Sequence, residues 1–265
     1  MERIITLTTD FGVQDHYAGT MKGVILNINR AAQIVDICHS VPSFDVLEGA
    51  LTIAQAYSYF PPGTVHAVIV DPGVGSMRRP LLVETGKYFF VAPDNGVLSL
   101  VFEREERIAV RHITAGHYSL QPVSATFQGR DIFAPVAAYV SKGVAPAALG
   151  EEISDYVRFA IKAPEPVENG GLRGMVIKVD KFGNLVTNLC PRNAPALAET
   201  PPPGFRIRVG AGEVSSLKPT FAAGQPGELF ALWGSMGFLE IVTNRGSAAQ
   251  LLKAGKGSEL VVTFA

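Results

Sequence analysis

Aspartates that directly follow strand-like segments are the first residues of this sequence that could do chemistry. Asp10 follows the segment Ile4–Thr9, and Asp71 follows the nearly all-apolar segment Val65–Val70. Asp180 holds a similar position in the second half of the chain. Because ligands bind beyond the carboxyl ends of strands in open parallel sheets, Asp10 and Asp71 are candidate ligand-binding carboxylates. The alternative for each aspartate is a helix cap or an Asx turn.

The segment that begins at Asp71 has the most distinctive sequence, DPGVGSMRR over residues 71–79. It lacks the Gly-Lys-Ser/Thr of a phosphate loop, and it lacks the third glycine and the following helix of a dinucleotide fingerprint. Its two glycines, Gly73 and Gly75, let the backbone lie close to a ligand. The loop can also bring Arg78 back towards Asp71, and the simpler interpretation of that pairing is a tight loop with a surface ion pair.

Other motif searches give weak or negative results. The five histidines, at positions 16, 39, 66, 112 and 117, show no metal-ligand spacing, so no metal site is expected. Residues 234–237, GSMG, look faintly like a nucleophile elbow, but Trp233 occupies the position of the first glycine. Residues 180–184, DKFGN, combine a carboxylate, a ring and an amide, a combination that is by itself more often a β-turn than a site.

Composition excludes several classes of protein. The 265 residues can bury a real core in one large or two modest domains, and 47% hydrophobic against 18% charged residues argues against disorder. With 23 basic and 24 acidic residues the net charge is −1, which gives no overall field to attract nucleic acid. Two cysteines suggest no disulfide framework, and no apolar run reaches the roughly 18 residues of a membrane-spanning helix. A strand-like segment at the very start leaves no room for a signal peptide, so a cytoplasmic protein without membrane contact is expected.

The first 160 residues alternate strand-like and helix-like segments, a pattern that predicts an α/β fold with a mainly parallel sheet and helices on both faces. Asp45 and Asn95 are placed to cap the second and third helices, and Pro135 interrupts the fourth. The predicted strands are Ile4–Thr9, Gln33–Ile37, Val65–Val70 and Lys87–Val91, and the predicted helices are Gly19–Ile28, Val46–Phe60, Val97–Phe102 and Arg130–Ser141.

The chain changes character near Lys162. A Pro- and Gly-rich stretch, residues 164–171, is the predicted linker between an α/β domain of residues 1–163 and a second domain of residues 172–265. Short strand-like segments separated by turn residues fill the second domain, which predicts a smaller all-β barrel or sandwich. These segments are Gly174–Val179, Phe205–Val209, Glu228–Leu232, Phe238–Thr243 and Glu259–Phe264.

Five motifs, in order along the chain, give this sequence a resemblance to a known family. They are TTDFG at residues 8–12, DPGVG at 71–75, PDNG at 93–96, GRDIFAP at 129–135 and FGNLVTN at 182–188. Each motif is weak by itself, but the ordered set is specific and spans nearly the whole chain. It resembles the S-adenosyl-L-methionine (SAM) hydrolases, or SAM hydroxide adenosyltransferases, which are sisters of the fluorinases and chlorinases.

The resemblance implies an α/β N-terminal domain, a C-terminal β-barrel and a homotrimer, with SAM bound between one subunit's N-terminal domain and a neighbour's C-terminal domain. Asp10 would hold the ribose hydroxyls, Phe44 would pack near the ligand, and Asp180 would meet the methionine amine. No cofactor is implied, since SAM is the substrate. The residues expected around the adenosine are Asn184, Ser235, Glu240 and the backbone around Thr243, with Phe182 and Phe221 as stacking partners.

The implied reaction is the attack of water on C5′ of SAM, which gives adenosine and L-methionine. The sulfonium leaves as a neutral thioether, so its departure needs no acid, and the enzyme must exclude solvent and align the water. Asp71 can orient this water or accept its proton, and Arg78 can stabilise hydroxide character. The family's third water-site residue is a histidine just before Gly-Arg-Asp. Here that position holds Gln128, so retained but reduced activity is expected.

Two alternatives remain open from the sequence. The sister halogenases lack the arrangement of Asp71 and Arg78, and a carboxylate would repel a bound halide, so SAM-dependent halogenation is the weaker enzyme hypothesis. Gln128 motivates the other alternative, a protein that binds SAM or adenosine with little catalysis.

Overall fold

The computed structural model describes residues 4–199 and 203–264. The chain divides into two compact units, Met1–Ala160 and Ile161–Ala265. Within the predicted linker of residues 164–171, Glu165–Pro166 forms a short strand that pairs with Leu172 and Arg173. The chain therefore joins the C-terminal unit before residue 172.

In the described part of the N-terminal unit, six strands form a mixed sheet. They are β1 (Ile4–Thr9), β2 (Gln33–Cys38), β3 (Val65–Ile69), β4 (Pro80–Thr85), β5 (Phe89–Pro93) and β6 (Ile108–His112). Their order is β2-β1-β3-β5-β4-β6, and the first four in that order pair in parallel. Because β4 runs antiparallel to both β5 and β6, one edge of the predicted parallel sheet is antiparallel.

Helices cover both faces of this sheet, which confirms the predicted α/β fold. Side chains of β3 alternate between the faces: Val65, Ala67 and Ile69 pack in the core with α1 and α4, whereas Val68 and the following Val70 pack with α2 and α3. These helices are α1 (Tyr17–Ile28), α2 (Val46–Ala56), α3 (Ser99–Phe102) and α4 (Ala134–Ser141). In the described part of the chain, no helix has both the length and the apolar character needed to cross a membrane.

The sequence pattern does not predict strands β4 and β6, and β5 begins and ends two residues later than predicted. Lys87 is the first residue of the predicted strand, but in the structure it belongs to a tight turn in which Thr85 N–H donates to Tyr88 O (2.9 Å). Pro80 is tolerated as the first residue of β4, where a missing N–H disrupts the ladder least. Local patterning does not mark this hairpin, because β4 directly continues the glycine-rich segment.

The helix that carries Pro135 also differs from the prediction. Instead of one interrupted helix over residues 130–141, a π-helical turn over Gly129–Phe133 leads into α4. A proline cannot donate to the carbonyl four residues before it. Here that carbonyl, of Asp131, accepts the N–H of Leu120 (2.8 Å) instead. Pro135 is therefore accommodated, and the preceding loop is tied to the π-helical turn.

The described residues of the C-terminal unit form an eight-stranded antiparallel sheet that curls into a nearly closed barrel. The strands are β7 (Glu165–Pro166), β8 (Leu172–Val179), β9 (Leu185–Thr187), β10 (Arg206–Val209), β11 (Gly212–Val214), β12 (Leu229–Trp233), β13 (Leu239–Thr243) and β14 (Glu259–Thr263), with short helices α5 (Pro195–Ala198) and α6 (Ala248–Leu252). The segment after β11 meets β12, since Ala231 N–H donates to Ser216 O (2.8 Å) and Lys218 N–H donates to Ala231 O (2.9 Å). The predicted barrel-like domain is confirmed.

His66 on β3 is a fully buried histidine inside the N-terminal unit. Its Nδ1 lies 2.7 Å from Thr6 Oγ1, and its ring stacks on Phe90 with a centroid separation of 5.0 Å. Burial penalises the charged imidazolium and lowers the pKa of His66 to about 3. The side chain is therefore neutral in the folded protein at neutral pH.

We expect His66 to make the fold sensitive to acid. Between pH 6.5 and about 3 the unfolded chain binds a proton at this position and the folded chain does not, so stability falls as pH falls, by up to about 1.4 kcal/mol per pH unit. His66→Asn keeps a polar atom near Thr6 but cannot titrate, so its unfolding free energy from urea titrations should depend less on pH. His117→Asn, at an exposed position, is the control and should keep the wild-type slope. A wild-type slope in His66→Asn would contradict the assignment.

Candidate functional site

The loop after β3 turns back on itself and carries both Asp71 and Arg78. Asn95 fixes its start, since Asn95 Nδ2 donates to Val70 O (2.8 Å) directly before Asp71. A turn follows at once, in which Val74 N–H donates to Asp71 O (3.2 Å). The chain therefore reverses soon after the strand ends, which returns Arg78 to the aspartate.

Asp71 and Arg78 form a bidentate ion pair. Arg78 Nε lies 2.9 Å from Asp71 Oδ1 and 3.0 Å from Oδ2, and Arg78 Nη2 lies 2.5 Å from Oδ2. The side chains are only 6% and 8% exposed, respectively. The guanidinium also lies over the ring of Phe133, 5.2 Å from its centroid, in the π-helical turn. The predicted return of Arg78 to Asp71 is present, and the pair is buried rather than on the surface.

Gln128 joins this pair, because its Oε1 accepts a hydrogen bond from Arg78 Nη2. Arg78 offers only donors, so the carbonyl end of the Gln128 amide must face it. The Nε2 end is then left as a donor for another group. Gly75 lets the two loops approach: its φ is +77°, and a Cβ there would lie 2.3 Å from Ala125 O. Only glycine fits at this position, where the loop of Asp71 meets the segment that leads to Gln128.

Asp10 lies at the end of β1, beside the end of β3. The parallel register pairs Thr9 with Ile69, so Asp10 and Asp71 leave neighbouring strands at the same edge of the sheet. Asp10 Oδ2 accepts the N–H of Phe44 (2.8 Å), a residue held at a left-handed φ of 69°. Burial raises the pKa of Asp10 and the charge of Asp71 adds to the rise, while the hydrogen bond from Phe44 opposes it.

These residues surround a cavity of about 350 Å³ in the N-terminal unit. Four predicted site residues line it, namely Asp10, Phe44, Asp71 and Gln128. Arg78 does not line the cavity, but it contacts both Asp71 and Gln128. The other lining residues are not among the predicted site residues: Phe11, Tyr17, Ser43, Ile69, Val74, Thr126, Phe127 and Gly129.

Aromatic rings form much of this wall. Tyr17 and Phe127 meet edge to face, with centroids 5.0 Å apart, and Phe11 lies 5.7 Å from Tyr17. Phe11 lies within the motif TTDFG, and Phe127 directly precedes Gln128, so their positions in the sequence indicated both residues. Tyr17 carried none, because only the start of α1 brings it to the cavity.

A larger cavity, of about 820 Å³, lies in the C-terminal unit. All the site residues predicted for this half line it, which are Asp180, Phe182, Asn184, Phe221, Ser235, Glu240 and Thr243. Trp233, which interrupts the nucleophile-elbow pattern in the sequence, also lines it. The structure thus gathers residues from four separate stretches of chain around one concave surface.

Asp180 closes the turn in which it stands. Its Oδ1 accepts the backbone N–H groups of Phe182 and Asn184, each at 2.9 Å, and its Oδ2 accepts Asn184 Nδ2 at 2.8 Å. Gly183 in this turn has a φ of +83°, and a Cβ there would lie 2.1 Å from Ser247 Oγ. The β-turn that the sequence suggested is therefore present, and its residues also line the cavity.

Glu240 is the other carboxylate of the C-terminal cavity. It lies in β13, is 7% exposed, and has a pKa that burial raises and the charge of Asp180 raises further.

Among the residues that the structure describes, no group of three or more His, Cys, Asp or Glu side chains is arranged to hold a metal ion.

Comparisons with known proteins agree with this geometry. Residues 5–150 match the family described as the SAM hydroxide adenosyltransferase N-terminal domain, and residues 174–261 match the corresponding C-terminal domain. A crystal structure of an uncharacterized conserved protein from Thermotoga maritima is similar, with a TM-score of 0.89 and 38% identity over 98% of this chain and 99% of that chain.

Curated relatives share the whole length. A protein of Salinispora tropica named (R)-S-adenosyl-L-methionine hydrolase is 37% identical over 98% of this chain and 97% of its own length. One of the same name from Methanocaldococcus jannaschii is 33% identical over 98% and 96%. A fluorinase of Nocardia brasiliensis is 30% identical over 95% and 94%. Matched along both of its units, the chain belongs to the SAM hydroxide adenosyltransferase family.

Proposed function

We propose that this protein hydrolyses SAM at C5′ to give adenosine and L-methionine. The observation that carries the proposal is the assembly of Asp71, Arg78 and Gln128 at the N-terminal cavity, in which the Asp71–Arg78 pair is buried. The full-length relatives named (R)-S-adenosyl-L-methionine hydrolase support it. In the reaction the water oxygen bonds to C5′, the C5′–S bond breaks, and its electron pair goes to the sulfur. The sulfonium supplies its own leaving group, so the reaction as proposed needs no cofactor.

Asp71 and Gln128 are suited to hold the attacking water. A carboxylate has about four lone-pair sites, and Arg78 does not occupy all of them. Asp71 can therefore accept a hydrogen bond from the water or, as a base, take its proton. The Nε2–H of Gln128 can donate to the water oxygen, an interaction that strengthens as the oxygen gains hydroxide character. Arg78 does not line the cavity, and its role is to fix the positions of both side chains through its hydrogen bonds.

The aromatic wall contributes by excluding solvent. Phe11, Tyr17 and Phe127 surround the carboxylates with apolar surface, and interactions with charge are stronger in such a setting than in water. A carboxylate in the same cavity disfavours a bound halide, which supports hydrolysis over halogenation. The binding-protein alternative rests on Gln128 alone, because that residue cannot titrate.

Product analysis of the wild-type protein decides between these functions, and the variant Asp71→Asn tests the role of Asp71. We expect wild-type protein to convert SAM into adenosine and methionine, with no 5′-chlorinated nucleoside when chloride is added. Asp71→Asn keeps the shape but loses the charge and the basicity, so turnover should fall by about 10²-fold or more while adenosine affinity changes less. Asp155→Asn, in an exposed ion pair with Arg79, is the matched control and should retain turnover. Products are quantified by chromatography.

Three outcomes would oppose the proposal. A 5′-halogenated product would indicate a halogenase, and tight binding of SAM without turnover would indicate a binding protein. Equal turnover in Asp71→Asn and wild type would reduce Asp71 to a structural turn residue.

Gln128→His tests the departure from the family's pattern. Histidine can accept charge that glutamine cannot, so we expect the variant to turn over faster and to gain a titration near the reference value of about 6.5. The adjacent guanidinium of Arg78 should displace this titration downward. The measurement is the pH profile of turnover in both proteins. An unchanged rate and profile would remove position 128 from the water site.

We also propose a cytoplasmic homotrimer. The residues expected to hold SAM are divided between the cavities of the two units, and apolar side chains are exposed at both, including Phe44 at 70% and Phe182 at 73%. Met77, beside the ion pair, is 97% exposed, so a neighbouring subunit has apolar surface to cover. The free cysteines Cys38 and Cys190 are compatible with a reducing compartment.

Assembly predicts that activity depends on oligomerisation. We expect analytical ultracentrifugation at micromolar concentration to give three times the 28.2 kDa mass of the chain. SAM turnover measured over a dilution series should fall where the trimer dissociates, because each SAM site would take residues from two subunits. A monomer at micromolar concentration that still turned over SAM would contradict this arrangement.

A further inference from the structure

We infer that Asp94 is a positioning residue for the attacking water, and that it acts through the ion pair of Asp71 and Arg78. The inference rests on the proposed function for the identity of the reaction. Its basis is that two consecutive residues after β5 hold the two ends of the loop that carries the pair. Asn95 holds the first end and Asp94 holds the last, and each of them contacts a direct chain neighbour of the ion pair.

The contact of Asn95 falls on the residue before Asp71. Asn95 Nδ2 donates to Val70 O (2.8 Å), and Asn95 Oδ1 accepts the N–H of Val97 (3.1 Å). One side-chain amide therefore joins the turn after β5 to the end of β3. Because the carbonyl of Val70 belongs to the peptide unit that links Val70 to Asp71, this hydrogen bond fixes the point at which the aspartate leaves the sheet.

The contact of Asp94 falls on the residue after Arg78. Asp94 N–H donates to Arg79 O (2.9 Å), and Asp94 Oδ2 accepts Arg79 Nε (2.9 Å) and Nη2 (2.7 Å). The other oxygen, Oδ1, accepts the N–H of Val157 (2.8 Å). The carboxylate side chain is only 4% exposed, and hydrogen bonds to an ionised group are the stronger kind. Asp94 therefore holds Arg79 by its main chain and by its side chain.

Holding both ends of the loop fixes the geometry of the pair between them. The bidentate contact of Arg78 with Asp71 needs both side chains in one arrangement, and a displacement of about 1 Å near a reacting centre can cost about 10²-fold in rate. Asp94 does not line the N-terminal cavity. It therefore affects the proposed reaction through the position of the loop and not through contact with the substrate.

The variant Asp94→Asn tests the inference, and Asp155→Asn is its matched control. The amide can still accept the N–H of Val157, but it lacks the charge that holds Arg79. We expect kcat for SAM to fall by about 10-fold or more, and the affinity for adenosine to stay within about two-fold of wild type, because the cavity wall is unchanged. Asp155 also pairs with Arg79 (2.7 Å), but its side chain is 77% exposed, so its variant should keep the wild-type kcat.

A double-mutant cycle separates positioning from a general loss of structure. In the Asp71→Asn background the group that Asp94 positions is already disabled, so Asp94→Asn should lower kcat by less than about three-fold more. A residue that served only the fold would lower kcat by the same factor in both backgrounds. Asn95→Ser repeats the cycle from the other end of the loop, because serine can still cap Val97 but is too short to reach Val70 O. This second variant removes no buried charge, which protects the test against a failure of Asp94→Asn to fold.

Urea unfolding of wild type, the two single variants and the double variant measures the same coupling without any turnover. We expect Asp94→Asn to shift the urea midpoint less in the Asp71→Asn background than in wild type, because the pair that it holds is already broken. Direct repulsion between the two carboxylates would give the opposite sign.

Three results would overturn the inference. They are a wild-type kcat in Asp94→Asn, an equal fall in kcat in both backgrounds, and a midpoint shift that is not smaller in the Asp71→Asn background. A failure of the proposed function would appear separately, as wild-type protein that releases no adenosine from SAM, and the unfolding cycle would then still decide whether Asp94 holds the pair.

Discussion

The buried ion pair of Asp71 and Arg78 is the interaction on which the N-terminal site depends. Two charges that are less than a tenth exposed must satisfy each other, because an unpartnered charge at such a place costs about 3–5 kcal/mol. The pair in turn fixes its surroundings: Gln128 must present its carbonyl to Arg78, and the ring of Phe133 supports the guanidinium from the π-helical turn. One interaction therefore sets the positions of the acceptor and the donor that face the cavity.

The second constraint is the negative charge that this cavity holds. Asp10 and Asp71 leave adjacent parallel strands, and their repulsion adds to the effect of burial in raising the pKa of Asp10. A cationic ligand relieves that repulsion, and a neutral thioether does not. In the proposed reaction, the carboxylate of Asp10 would attract the cationic substrate more than a neutral thioether product, which would favour product release. Because the sulfonium loses its charge in the transition state, this attraction serves binding, and acceleration must come from the aligned water and the excluded solvent.

The features that could be predicted from the sequence are those that depend on residues close together in the chain. The strand-like segment before Asp10 is β1 with the predicted bounds, and Asp45 caps α2 as expected, since its Oδ1 accepts the N–H of Glu48 (3.0 Å). The spacing of Asp71 and Arg78 indicated their pairing but not its burial, because Phe133 reaches the pair from a distant part of the chain. Strand β4 and the π-helical turn were missed, since both depend on partners elsewhere, the neighbouring strands in one case and Leu120 in the other. The place of Tyr17 in the cavity wall is likewise a property of the folded surroundings and not of any motif.

Gln128 stands where the resemblance implies a histidine, and it illustrates how a fixed neighbour limits what a substitution changes. Arg78 has no acceptor, so whichever residue stands at position 128 must turn an acceptor towards it. A histidine would do this with an unprotonated ring nitrogen, and its other nitrogen would then carry a proton towards the cavity. Glutamine does the same with its carbonyl oxygen and its Nε2–H. The two residues therefore present the same hydrogen-bond pattern to the cavity, and they differ in the capacity to take up a proton.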